Sequence, residues 1–166
     1  MESKIIPIPL SDPQFRDFFC SYLIEGKKIC LVDVGPYNGH AELIKRLEKL
    51  NVERIDYILL THIHIDHAGA LQPLLDAYPM ARGVCHEMGI KFLANPDSFW
   101  DASLKVLKER AIQYGKPAPV SAERLDSHKE ASIPGVRILT TPGHAPHHLC
   151  FLTDSEIFLG EAGGNH

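Results

Sequence analysis

The residues best placed to do chemistry are crowded into one stretch. Thr61-His62-Ile63-His64-Ile65-Asp66-His67 sets three imidazoles and a carboxylate within six consecutive positions, directly after the apolar run Ile55 to Leu60. Imidazole and carboxylate are the donors that hold divalent metal ions. In an extended segment alternate side chains share a face, so His62 and His64 point one way while Ile63 and Ile65 turn into the core. Two ring nitrogens can then reach one ion. Asp66 and His67 fall where the extended run gives way to the apolar periodic stretch Ala68 to Tyr78. They sit at the mouth of a helix, whose unpaired N–H groups favour anionic ligands. A single histidine beside isoleucines is ordinarily a satisfied core or surface residue; three with an aspartate at this spacing read as a metal cradle.

A three-histidine site needs one ligand from elsewhere. The strand Val136 to Thr140 breaks at Thr141-Pro142-Gly143-His144, and a strand-end Gly-His exposes an imidazole with little backbone obstruction, so His144 is the expected third ligand. His147 and His148 follow before the strand Leu149 to Leu152. Two further carboxylates stand at breaks in the chain: Asp33 before Gly35-Pro36, and Glu161 in the glycine-rich turn Leu159-Gly160-Glu161-Ala162-Gly163.

At these four places the chain resembles the metallo-β-lactamase-fold hydrolases, glyoxalase II among them. Their signatures are His-x-His-x-Asp-His after a strand, an Asp at an earlier strand end, Thr-Pro-Gly-His with another His four residues later, and a late Gly-Asp. The resemblance implies an α/β fold, the αββα sandwich, over almost the whole chain. It implies that Asp33 supports the metal loop through hydrogen bonds and that His148 plays a structural part, leaving His147 exposed. It implies one metal on His62, His64 and His144, with Asp66, His67 and Glu161 around a second. Glu161 departs from the family's bridging aspartate by one methylene, so a bridge does not follow automatically. The family's remaining elements and its final metal-binding His have no counterpart before Gly163-Gly164-Asn165-His166, and a terminal His166 is poorly anchored. The expectation is one domain, 1–166, holding the N-terminal half of the sandwich and part of the second, incomplete at its C-terminus. A homodimer is expected to cover the sheet edge this leaves.

Three neutral imidazoles leave a fourth position open for water, the layout of a catalytic zinc site. The ion brings the water's pKa toward neutrality and polarises a carbonyl, while Asp66 orients the water or accepts its proton. The favoured activity is hydrolysis of an ester, thioester, lactone or related acyl bond of a small-molecule substrate, using one or two zinc ions, with iron or manganese as substitutes. Two alternatives remain at this point: a mononuclear iron dioxygenase acting on a thiol or persulfide, and a non-catalytic metal-binding interaction module.

The elements that must position these residues are legible in the periodicity. Ile5 to Leu10, Phe19 to Ile24 and Lys28 to Val34 read as strands, the last two joined by a turn at Glu25-Gly26-Lys27. His40 to Leu50 carries Leu43, Ile44, Leu47 and Leu50 at helical spacing, with His40 solvated at its start. Ile55 to Leu60 is the strand that delivers the cradle. Ala81 to His86 is a short strand ending on a structural His86, followed by a helical turn at Lys91 to Ala94. Trp100, Leu104, Leu107, Ala111 and Tyr114 form one helical stripe, and Lys116-Pro117-Ala118-Pro119 an extended connector. Ile157 to Gly160 is the last strand.

Composition narrows the rest. With 166 residues, 45% hydrophobic and 23% charged, the chain has the make-up of an ordinary globular domain. A net charge of −4 without a Lys/Arg block gives no footprint for nucleic acid. No run suggests a signal peptide or a membrane span, so the expected location is cytoplasmic. Cys20, Cys30, Cys85 and Cys150 lack a paired spacing and read as buried reduced thiols.

Overall fold

Alternation along the strands decides which layer each side chain joins. A computed structural model describes residues 2–15 and 18–164. Its first sheet runs in chain order through β1 (Glu2–Ile8), β2 (Phe19–Glu25), β3 (Ile29–Val32), β4 (Tyr57–Leu59), β5 (Arg82–Cys85) and β6 (Leu125–Ser127). The pairs β1–β2 and β2–β3 are antiparallel, and β3 through β6 are parallel. Parallel neighbours require helical crossovers. These are α1 (His40–Lys49), then α2 (Ile65–Ala68) with α3 (Leu71–Ala77), then α4 (Glu87–Ala94), α5 (Asp97–Leu107) and α6 (Glu109–Tyr114). A second, antiparallel sheet holds β7 (Arg137–Thr140), β8 (Leu149–Leu152) and β9 (Ile157–Phe158).

Leu31, Ile58, Leu60 and Cys85 turn toward the helices and meet Leu43, Leu47, Leu71 and Leu74 in one core. Cys30, Val32, Leu59 and Val84, the alternate residues, turn the other way and meet Leu149, Phe151 and Phe158 of the second sheet. The chain is therefore a mixed α/β structure layered as helices, six-stranded sheet and three-stranded sheet. Among the described residues no helix is long and apolar enough to cross a membrane. Cys30, Cys85 and Cys150 are buried and Cys20 half-buried, all as free thiols. Burial pushes the Cys30 and Cys85 thiols up to about 12, so neither is reactive at neutral pH.

Strand β1, expected at Ile5 to Leu10, runs from Glu2 to Ile8, and β9, expected at Ile157 to Gly160, stops at Phe158. Four further elements differ from the periodicity. The stretch expected as one helix from Ala68 to Tyr78 is two, α2 and α3, because the backbone between them is drawn to the loop after β3. Val34 N–H donates to His67 O at 2.8 Å and Ala70 N–H to Gly35 O at 3.1 Å. The stripe from Trp100 to Tyr114 is also broken, at Lys108, whose φ of 51° and ψ of −120° cannot continue a helix. Its C-terminal part, Ala111 and Tyr114, is buried, while Trp100, Leu104 and Leu107 only pack against the core. The turn expected at Lys91 to Ala94 is the end of a longer helix, α4, whose N-cap is His86. Strand β6 had no alternation to announce it: it has three residues, pairs only with β5 and follows a proline-rich connector.

Candidate metal centre

The carboxyl-terminal ends of parallel strands are where such sheets gather their functional groups. β3 runs out into Asp33, and β4 into Thr61 and His62. Asp33 has a φ of 52°, a left-handed conformation that aspartate tolerates better than most residues. The turn aims its carboxylate back at the neighbouring strand end. Oδ1 accepts from Thr61 N–H at 2.8 Å; Oδ2 accepts from the Thr61 hydroxyl at 2.7 Å and from His67 Nδ1 at 2.9 Å.

These bonds fix the imidazoles. Since the Thr61 hydroxyl gives its proton to Asp33, it can only accept from His62 Nδ1, 3.0 Å away. His62 therefore carries its proton on Nδ1 and turns a lone pair on Nε2 toward the site. That Nε2 is buried and has no hydrogen-bond partner. It faces Glu161 Oε2 at 3.3 Å, a lone pair opposite a carboxylate oxygen. Such a pair repels unless a positive charge stands between or beside the two atoms. Burial first, then the neighbouring imidazoles, push the His62 pKa far down, so the ring does not supply that charge itself.

His64, at the N-cap of α2, and His144, in the loop between β7 and β8, close the group. The rings of His62, His64 and His144 form a near-equilateral triangle with centroids 4.6, 4.9 and 4.8 Å apart. His144 Nε2 lies 3.0 Å from His64 Nδ1 and 2.7 Å from Glu161 Oε2. One donor atom from each of His62, His64, His144 and Glu161 lies within 4.8 Å of the others. Burial holds His64 down at about 4, against the pull of Asp66, so its ring is neutral and free to donate a lone pair at neutral pH. The buried orphan nitrogen, the opposed carboxylate and the neutral rings together fit a divalent cation.

Asp66 and His67 flank this group. His67 Nε2 is 3.8 Å from Asp66 Oδ2 and 3.8 Å from Glu161 Oε2. Burial pulls its pKa down, but the charge and hydrogen bond of Asp33, then Asp66 and Glu161, raise it to about 9. Glu161, expected with Asp66 and His67 at a position where the resembled family has a bridging aspartate, stands between both groups, 2.7 Å from His144 Nε2 and 3.8 Å from His67 Nε2. Its backbone N–H donates to His148 Nε2 at 3.3 Å, and His148 Nδ1 meets the Thr141 hydroxyl at 2.8 Å. His148 is fully buried and holds the turn that carries Glu161. Gly160 has a φ of 53°, and a Cβ there would sit 2.8 Å from Thr61, so this turn packs directly on the strand end.

His147 corrects an expectation. Foreseen as exposed, it is half-buried, with its Nδ1 buried and unpartnered. The ring lies parallel to His62 at 6.4 Å and edge-on to His64 at 5.9 Å. Thr61 and Thr141 were also missed, since a hydroxyl gains its role only from the partners the fold brings. His166 lies outside the described residues.

The sequence profile described as the Metallo-beta-lactamase superfamily matches residues 20–159. The metallo-beta-lactamase fold-containing protein ST1585 of Sulfurisphaera tokodaii is 30% identical over 171 residues, 95% of this chain and 61% of that protein. The crystal structure of ST1585 superposes with a TM-score of 0.77 at 27% identity, covering 98% of this chain and 64% of that one. The probable metallo-hydrolase MJ0888 of Methanocaldococcus jannaschii is 30% identical over 141 residues, 85% of this chain and 65% of that protein. An atrochrysone carboxyl ACP thioesterase of Aspergillus fumigatus is 30% identical over 141 residues, 82% of this chain and 36% of that protein. The chain thus spans less than two thirds of the length of these relatives.

Proposed function

Because the chain belongs to the metallo-β-lactamase superfamily, we propose that it is a metal-dependent hydrolase of an ester, thioester, lactone or related acyl bond, with zinc as its cation. The observation that carries this reading is the His62 Nε2 lone pair, buried and opposed at 3.3 Å to the Glu161 carboxylate, with His64 and His144 beside it. His62, His64 and His144 would hold the ion, and Glu161 Oε2, 2.7 Å from His144 Nε2 and 3.8 Å from His67 Nε2, would lie within reach of it. A cation bound there acidifies water toward neutrality and polarises a substrate carbonyl. The chain's own groups do the rest. Asp66, half-exposed beside the imidazoles, accepts the proton of the attacking water on its carboxylate. Asp33 keeps the His62 and His67 rings in register through Thr61 and its own hydrogen bond. A groove of about 640 Å³ leads outward from Asp66, His67 and Glu161 between Phe18, Tyr22 and Phe158, offering room for an acyl group. The thioesterase among the relatives supports this substrate class, and the probable metallo-hydrolase supports the reaction.

The test is metal analysis joined to turnover. Protein purified without added metal is expected to hold about one zinc per chain and to hydrolyse a panel of aryl esters and acyl thioesters, with chelation abolishing turnover and zinc restoring it. Turnover that survives complete chelation refutes the reading. Bound iron with oxygen uptake on a thiol, and no hydrolysis, would replace it by the dioxygenase.

A further inference from the structure

The parallel strands deliver more than the metal ligands. Leu59, Val84 and Asp126 lie in one register row across β4, β5 and β6. Two residues further on, Thr61, His86 and His128 therefore stand side by side along the same carboxyl-terminal edge, where open parallel sheets receive ligands. His86 and His128 stack face to face, with ring centroids 4.4 Å apart and planes 19° from parallel.

Both rings are held the same way. His86 Nδ1 accepts from Met88 N–H at 3.2 Å, and His128 Nδ1 accepts from Glu87 N–H at 3.3 Å. An accepting Nδ1 carries no proton, so each neutral ring bears its proton on Nε2. The pair is thereby unsuited to ligate a cation through Nε2 and offers two N–H donors instead. The charge beside it does not oppose an anion: the Glu87 carboxylate is paired with Lys129 at 2.6 Å, leaving no free negative charge on that rim residue.

We propose that His86 and His128 form a second subsite, a pair of Nε2–H donors that holds an anionic oxygen group of the substrate, carboxylate or phosphate, further along the strand-end edge that carries the metal centre. It rests on the hydrolase reading only for the identity of the molecule that carries the group. Two N–H donors match two oxygens of one carboxylate, and hydrogen bonds to a charged acceptor are the stronger kind.

The experiment is imidazole ¹⁵N NMR on the zinc-loaded protein, titrated with glutarate, inorganic phosphate and, as the uncharged control, glutaramide. The expected spectra show Nε2–H tautomers on both rings. Glutarate or phosphate should shift both signals saturably, and glutaramide should not; which anion binds more tightly identifies the source. His128→Phe keeps a stacked ring without an N–H and should weaken binding about 10- to 100-fold. His128→Gln returns an N–H donor and should recover part of the loss. Nδ1–H tautomers, no saturable shift, equal shifts with glutaramide, or unchanged affinity in His128→Phe would each overturn the subsite. These readouts do not depend on turnover. Anion binding in a protein inert to every acyl substrate would fail the hydrolase reading alone, and turnover without the shifts would fail the subsite alone.

Discussion

Replacing Asp33 by Asn tests the hydrogen-bond frame beneath the metal centre. Asparagine tolerates the φ of 52° at this position, so the backbone is kept and only the acceptor chemistry changes. Oδ1 still accepts from Thr61 N–H, but the group now standing at Oδ2 is an amide that faces two donors, the Thr61 hydroxyl and His67 Nδ1. Each hydrogen bond to the charged oxygen contributes about 1.5–3 kcal/mol. His67 can move its proton to Nε2 and accept from the new amide, which offsets part of the loss, so we expect a net cost of about 2–3 kcal/mol. The sharper signature is in pH. In the metal-free protein His67 titrates at about 9, above its unfolded value of about 6.5. A raised pKa gives stability that is fully present below 6.5 and lost as pH rises through 9, about 3 kcal/mol in all. On the acid side His64, held down at about 4, gives stability that is lost as pH falls from 6.5 through 4, and His62 acts in the same direction. Metal-stripped wild type should therefore be most stable near pH 6.5, while Asp33→Asn should be weaker there and nearly flat above it. Urea unfolding followed by the fluorescence of the single tryptophan, Trp100, measures both. Parallel wild-type and variant curves between pH 6.5 and 9.5 would refute the argument.

Three further perturbations separate the remaining roles. His62→Ala or His64→Ala should abolish tight zinc binding, whereas His148→Ala, which acts only through the Glu161 turn, should cost about 10- to 100-fold in affinity; equal losses by calorimetry would collapse the distinction. Lys108→Gly should stabilise the protein by about 1 kcal/mol in thermal unfolding, because glycine accepts the φ of 51° and ψ of −120° that lysine adopts only under strain. Ile5 on the edge strand β1 and Ile157 on the edge strand β9 are 66% and 48% exposed, and a second copy is expected to cover them. Light scattering should give twice 18.5 kDa, reduced by Ile5→Lys, and a monomer at every concentration would rule out the pairing.

Most of the architecture was legible because amphipathic periodicity and burial agree. Strand Leu149–Leu152 appears where its apolar run lies, and the helix His40–Lys49 ends within one residue of its expected end. The failures share one cause. α2 breaks from α3 because tertiary hydrogen bonds to Val34 and Gly35 claim the backbone between them, and no side-chain pattern records where an amide will go. β6 exists because β5 offers it an edge, and its three residues carry too few alternations to show a period.

The site shows the same division. His62, His64, Asp66 and His67 could be placed together because one short run, from the end of β4 into α2, holds them all. His144 and Glu161 come from distant turns, and what brings them in is the second sheet: Leu149 N–H donates to Thr61 O at 2.7 Å, locking β8 against the end of β4. That bond sets the height of the loop carrying His144, while His148, one residue earlier, reaches back to fix Glu161. A glutamate there spans a gap that spacing could not measure. Its extra methylene lets Oε2 stand 2.7 Å from His144 and 3.8 Å from His67 at once, so the longer side chain reaches both groups from a turn packed tightly on Thr61. Glu161→Asp should then withdraw the carboxylate from one of them. Loss of zinc from a centre that keeps all three of His62, His64 and His144 would show that Glu161 is a ligand of that set; unchanged zinc content would assign it to His67 and Asp66 alone.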